Sequence, residues 1–92
     1  MKVLIIGSGG REHALSWKCI QSSMVSKVYV APGNAGTQIE DNIQNVAINP
    51  ENFAELSNFA QDNEIELTIV GPEQPLVGGI CDYFESKHLK IF

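Results

Sequence analysis

Basic residues are scarce in this 92-residue chain, which has six Lys and Arg side chains against eleven Asp and Glu. The formal net charge is therefore −5 at pH 7. Binding to nucleic acid depends on many cationic side chains that release counterions from the phosphate backbone, so this composition argues against a nucleic acid partner. Any anion bound by the chain has to be held locally, by a few well-placed donors.

Long apolar runs and clustered cysteines are also missing. The longest strongly apolar run near the start, residues 3–6, is far shorter than the roughly 20 residues of a membrane helix, and no signal-peptide cleavage pattern follows it. Cys19 and Cys81 lie far apart in segments with helical patterns, which favours buried, inert thiols over a disulfide framework or a zinc site. We therefore expect a cytoplasmic protein with no membrane partner.

Short apolar segments alternate along the chain with amphipathic ones. The pattern predicts strands at residues 2–6, 27–31, 45–48 and 67–70, a fifth strand starting at 89–92, and helices over 11–22, from 49–51 and from 75. This order predicts an α/β fold, a three-layer sandwich whose mostly parallel sheet has four or five strands. Ligands of such sheets bind beyond the carboxyl ends of the strands, which singles out the loops at residues 7–11, 32–36 and 71–74.

The first predicted helix is amphipathic, and its pattern separates an inward stripe from a solvent-facing side. The expected inward residues are Ala14, Leu15, Trp17 and Cys19, and the residues expected near water are Arg11, Glu12 and Lys18. For Trp17, packing is a better interpretation than stacking on a base, because the chain is acidic.

A glycine-rich loop, G-S-G-G-R at residues 7–11, joins the first predicted strand to this helix. Backbone N–H groups and the positive end of a helix dipole converge in such a loop, which favours an anion. Close packing of a strand on a helix also selects glycine, so the loop alone has two interpretations. A dinucleotide site would need glycine where Glu12 stands and an acid at the end of the second strand, where residues 31–33 read A-P-G; both departures disfavour NAD. The phosphate-binding pattern G-x-x-x-x-G-K-[ST] is absent from the sequence.

Four segments, in their order and spacing, closely resemble the start of the phosphoribosylamine–glycine ligases, also called glycinamide ribonucleotide synthetases. They are MKVLIIGSGGREHALSWK, VYVAPGNAGT, NVAI and VGPEQPLVGGI, and the resemblance covers essentially all 92 residues. It implies that residues 1–92 form the Rossmann-like, N-terminal preATP-grasp domain, with the ATP-grasp and C-terminal domains of the family absent from this chain. Members of the family are ATP-grasp enzymes of de novo purine (IMP) synthesis. They activate glycine with ATP as an acyl phosphate, which the amine of 5-phosphoribosylamine captures to give glycinamide ribonucleotide, ADP and phosphate.

The resemblance also implies roles for individual residues. The N–H groups around Gly9, Gly10 and Arg11, with the Arg11 side chain, would meet the phosphate of the phosphosugar or its neighbourhood. Glu73 would accept hydrogen bonds from the ribose hydroxyls, and Asn34 would be the polar contact of a third wall formed by residues 32–36. A purely electrostatic role for Glu73 at a helix N-terminus is the alternative.

Cofactors and partners follow from the same resemblance. ATP and Mg²⁺ (or Mn²⁺) would bind mainly outside this segment, so we expect no catalytic or metal-binding residue here and no activity from the 92 residues alone. The expected partners are 5-phosphoribosylamine, glycine, ATP and the remaining domains of the same enzyme. Two alternatives stay open, namely a free-standing nucleotide-sensing module and, less favoured, half of a nicotinamide-dependent dehydrogenase.

Overall fold

The structure, a computed structural model, describes residues 1–7, 9–34, 42–71 and 77–92. Within these ranges the chain forms four strands and three helices, in an alternating order. They are β1 (Lys2–Gly7), α1 (Gly10–Ile20), β2 (Lys27–Pro32), β3 (Ile43–Asn45), α2 (Phe53–Asp62), β4 (Leu67–Val70) and α3 (Val77–Ser86). None of the helices in these described ranges is long and apolar enough to cross a membrane.

The strands form one parallel sheet in the order β3-β2-β1-β4, which confirms the predicted α/β arrangement. β1 is central, and its Val3 pairs with Val28 on one side and with Leu67 on the other. Residues 90–92 extend the sheet beyond β4: the Thr68 N–H donates to the carbonyl of Lys90 at 3.1 Å, and the Phe92 N–H donates to the carbonyl of Thr68 at 2.8 Å. The predicted fifth strand thus begins there, as a single parallel bridge between Thr68 and Ile91.

Helices cover both faces of the sheet, so the three layers are as predicted. On one face, Leu4 and Ile6 of β1 belong to a buried cluster that includes Leu56 of α2 and Phe84 of α3. On the other face, the alternate residues of β1 pack in a second cluster, against which the apolar side of α1 lies. A strand buried on both faces has to be apolar throughout, which is why β1 reads as an unbroken apolar run.

β1, β2 and α1 match the predicted bounds to within two residues, whereas β3 and α2 differ more. β3 ends at Asn45, where the sequence pattern predicted a strand over residues 45–48. The second helix begins at Phe53 rather than near residue 50.

The later start of α2 has a hydrogen-bonding cause. The side chain of Asn49 accepts from the Glu51 N–H at 2.8 Å, which forms a turn before the helix. Asn52 is the residue that caps the helix, because its side-chain oxygen accepts from the Glu55 N–H at 3.1 Å. Both asparagines are of the residue type that caps helices, and the sequence pattern predicted a cap at Asn49 instead of Asn52.

Candidate functional site

The loops that follow β1, β2 and β4 meet at the carboxyl edge of the sheet. The Gly33 N–H donates to the carbonyl of Gly7 at 3.0 Å, and the Gly71 N–H donates to the carbonyl of Ile6 at 2.8 Å. These bonds hold the described parts of all three predicted loops beside one another. The connection from β3 to β4 also crosses back over β1, so the crossover direction reverses between β1 and β4, where open α/β sheets bind ligands.

The turn from β1 into α1 presents main-chain donors at this edge. Gly7 has φ +151°, a backbone conformation that residues other than glycine rarely adopt. Gly9 is extended and caps α1 without a side-chain hydrogen bond. The first N–H groups of a helix have no acceptor within the helix, and Gly10 and Arg11, the first two helical residues, are both exposed. Helix N-termini of this kind can bind anions, and binding of a phosphate here stays a prediction.

Asn34 connects the second loop to the glycine-rich turn. Its side-chain Nδ2 donates to the carbonyl of Gly9 at 3.1 Å, and its own carbonyl accepts from Nδ2 of Asn45 at 2.8 Å. The carbonyl of Gly9 also accepts from the His13 N–H at 3.2 Å. Asn34 therefore anchors Gly9, the residue that caps α1, while its contact with a ligand stays a prediction. Nothing in the sequence pattern predicted that the Asn45 side chain would hydrogen-bond to Asn34.

The predicted site residues fall into two groups. Gly9, Gly10, Arg11 and Asn34 lie together at the carboxyl edge of the sheet. Glu73 lies outside the described residues, so its expected role at the ribose stays a prediction.

Glu12 occupies a place that the helical pattern did not predict. Its side chain is only 1% exposed, and neither carboxyl oxygen has a hydrogen-bond partner in the described part of the chain. The expectation that Glu12 stays near water is therefore wrong. Burying an ionised carboxylate without a partner costs several kcal/mol in general, so such a group is unusual in a core. One signal was available: Glu12 is three residues after the helix cap Gly9, the position from which a glutamate side chain reaches back towards the cap.

Two glycines make room for this carboxyl group. A methyl group built on Gly7 would overlap the carboxyl of Glu12, and one built on Gly71 would lie 2.8 Å from its Cδ and 3.0 Å from its Cγ. Gly7 ends β1 and Gly71 follows β4, so the carboxyl lies in the crevice between the ends of these two strands. Both glycines are thus needed to accommodate Glu12.

The buried stripe of α1 is rotated relative to the prediction. Glu12 and Ser16 are its fully buried residues, and the Ser16 hydroxyl donates to the carbonyl of His13 at 2.8 Å. Trp17 is 50% exposed, so the inward packing expected for it is wrong. The prediction is confirmed for Leu15 and Cys19, which pack against the cluster beneath α1, and for the exposed Arg11 and Lys18. It is wrong for Glu12, Ala14 and Trp17. An open groove along the exposed side is lined by Gly10, His13, Ala14 and Trp17.

Both cysteines are free thiols and are half-buried rather than fully buried. Cys19 packs against the cluster beneath α1, and this burial raises the pKa of the Cys19 thiol above its ordinary value. A raised pKa means that less thiolate is present at any given pH, and the thiolate is the reactive form.

We expect Cys19 to react slowly with iodoacetamide. In a Cys81→Ser variant, its rate of alkylation should reach half its maximum at a higher pH than in the same chain unfolded in urea, because desolvation disfavours the thiolate. The measurement is the pH–rate profile from pH 6 to 11. A folded-state midpoint at or below the unfolded one would contradict the effect of burial.

The profile of the family described as "Phosphoribosylglycinamide synthetase, N domain" matches residues 1–92. Proteins named phosphoribosylamine–glycine ligase from Escherichia coli K12 and Pasteurella multocida are each 60% identical over 92 residues, and that of Haemophilus influenzae is 58% identical. The matches cover 100% of this chain and 21% of each relative, so the chain spans about a fifth of their length. On a match that runs from the first residue to the last, the chain belongs to the phosphoribosylglycinamide synthetase N-domain family.

Proposed function

We propose that this chain is the phosphosugar-binding part of an enzyme that joins glycine to 5-phosphoribosylamine with hydrolysis of ATP, giving glycinamide ribonucleotide in purine biosynthesis. The observation that carries the proposal is the full-length match to the N domain of that synthetase family. The names of the relatives, which specify phosphoribosylamine and glycine, support the identity of the substrates.

In this proposal the phosphate of the sugar binds at the start of α1. The N–H groups around Gly9, Gly10 and Arg11 donate to its oxygens, and the Arg11 guanidinium adds a charged donor. Each hydrogen bond to a charged group contributes about 1.5–3 kcal/mol, whereas the helix dipole contributes about 0.3–1 kcal/mol. The shape of the turn, which Asn34 helps to hold, therefore matters more than the dipole. Glu73 would then accept from the ribose hydroxyls.

ATP and Mg²⁺ or Mn²⁺ belong to the proposed reaction but not to this segment. Among the residues that the structure describes, no group of three or more His, Cys, Asp or Glu side chains is placed to hold a metal ion. The proposed role of the described residues is to bind and orient the phosphosugar. We expect the 92 residues alone to release no ADP from ATP, even with glycine and phosphoribosylamine present.

The remaining domains of the synthetase are the proposed macromolecular partners, and the cytoplasm is the proposed compartment. The relatives are much longer than this chain, which supports the first part of the proposal. The half-exposed Trp17 gives a neighbouring domain an apolar contact. The two free thiols fit a reducing compartment.

A chimeric enzyme tests the proposed function. We expect the Escherichia coli ligase to retain most of its activity when this chain replaces its matching 92 residues, because 60% of them are identical. The measurement is kcat/KM for phosphoribosylamine from ADP release. A folded chimera without activity would contradict the proposal, and tight binding of an adenine nucleotide by the isolated chain would favour a nucleotide-sensing module.

Arg11 provides a sharper test within the same chimera. Arg11→Ala should raise KM for phosphoribosylamine by about tenfold or more, because it removes a charged donor to the phosphate. Lys18→Ala is the matched control, since Lys18 is an exposed base in the last turn of the same helix. Equal effects of the two substitutions would indicate that only the overall charge of α1 matters.

A further inference from the structure

The carboxyl group of Glu12 has no role in the phosphate binding proposed above. It is fully buried in the crevice between Gly7 and Gly71, and both of its oxygens are without a hydrogen-bond partner in the described residues. Buried polar groups of native proteins are nearly always hydrogen-bonded, so an exception calls for a specific explanation. Its position at the reversal of the crossover direction places it in the region where a ligand of this fold binds.

We propose that Glu12 is a substrate-binding residue, whose carboxyl accepts hydrogen bonds from the hydroxyl or amine groups of the phosphosugar. This inference rests on the proposed function, because it requires a sugar phosphate at the start of α1. A carboxyl group is an acceptor, and the donors that would satisfy it are hydroxyl and amine groups.

A sugar phosphate has a phosphate at one end and hydroxyl or amine groups at the other. The first suits the start of α1, and the second suits the carboxyl group of Glu12. The phosphate is an acceptor of hydrogen bonds and suits main-chain N–H groups at the N-terminus of α1. The same phosphate would be repelled by Glu12, whereas the sugar hydroxyls and the amine are attracted to it. Glu12 therefore fixes which end of the ligand enters the crevice, and it discriminates a sugar phosphate from free phosphate.

The crevice has to open locally for this contact. Both oxygens of Glu12 are buried, so the neighbouring groups have to separate before a ligand can donate to them. An unpartnered carboxyl group gains more from a new donor than one that already has partners.

Glu12→Gln tests the inference, because it keeps the shape of the side chain and replaces one carboxyl oxygen with an NH₂ donor. Binding is measured by NMR titration of the ¹⁵N-labelled chain with ribose 5-phosphate and, separately, with inorganic phosphate. We expect the Kd for ribose 5-phosphate to rise about tenfold or more, and the Kd for phosphate to stay the same or fall. Glu66→Gln is the matched control, since Glu66 is exposed and precedes β4 at the opposite edge of the sheet, and it should change neither Kd.

Thermal unfolding of the same variant separates a binding role from a structural one. We expect Glu12→Gln to raise the midpoint of the ligand-free chain by about 4–8 °C, because an amide is less costly to bury than an unpartnered carboxylate. A lower midpoint, or an equal loss of affinity for both ligands, would mean that Glu12 only supports the turn and would overturn the inference. Unchanged binding of ribose 5-phosphate by Glu12→Gln would overturn the inference alone. No binding of ribose 5-phosphate by the unaltered chain would overturn the proposed function as well.

Discussion

Gly71→Ala is expected to destabilise the chain by about 1–3 kcal/mol, the usual cost of forcing an extra methyl group into a filled site. The new methyl group would press on the Cδ and Cγ atoms of Glu12, which lie 2.8 and 3.0 Å from the place where it would stand. Glu12 cannot move away easily, because its side chain is fully buried. Urea unfolding followed by circular dichroism measures the loss.

A double substitution shows whether Glu12 is the cause. In a Glu12→Ala background, Gly71→Ala should cost much less, with an interaction energy of about 1–2 kcal/mol between the two sites. Gly10→Ala is the control, since nothing lies within 4 Å of a methyl group at that helical position, and it should be neutral or mildly stabilising. Additive losses at positions 12 and 71 would show that the close approach does not limit stability.

Phe84→Ala should have the largest effect of any substitution considered, a loss of about 3–5 kcal/mol in the free energy of unfolding. The side chain of Phe84 is 0% exposed and belongs to the cluster that α3 forms with Leu4, Ile6 and Leu56. A domain of this length has a total stability of roughly 5–14 kcal/mol, so the loss is a large share of it. The thermal midpoint should fall by at least about 12 °C.

The matched control removes the same side chain from the surface. Phe92 is 79% exposed, and the bonds of residue 92 to β4 are made by its main chain. Phe92→Ala should therefore change stability by less than about 0.5 kcal/mol. Similar losses from both substitutions would contradict the assignment of Phe84 to the core.

The sheet could be predicted from the sequence because its signal is strong and local. β1 and β4 are buried strands in a parallel sheet, so each is an apolar run that ends at glycine. β3 has only three residues, Ile43–Asn45, and its first residue alone is fully buried. A strand so short and so little buried produces almost no pattern, which explains the error in its position.

The site was only partly predictable, because two of its features arise from contacts between distant segments. Glycines before a helix predicted the turn of Gly9 and Gly10. The bond from Asn45 to the carbonyl of Asn34 depends on strand order, which no local pattern records. Glu12 was assigned to solvent because a charged residue beside Arg11 in a first helical turn is usually exposed, and only the packing of α1 on the sheet reveals otherwise.

The central position of β1 constrains how this domain is made. β1 is synthesised before the other three strands of the sheet. One of its two neighbours, β4, emerges from the ribosome only after β2, β3 and α2. Until then the Leu67 partner of Val3 does not exist, and one edge of the mainly apolar strand β1 has nothing to pair with. Closing so long a loop late also slows folding. A nascent chain paused before residue 67 should therefore be prone to aggregation. We expect a chaperone to bind the chain at that stage.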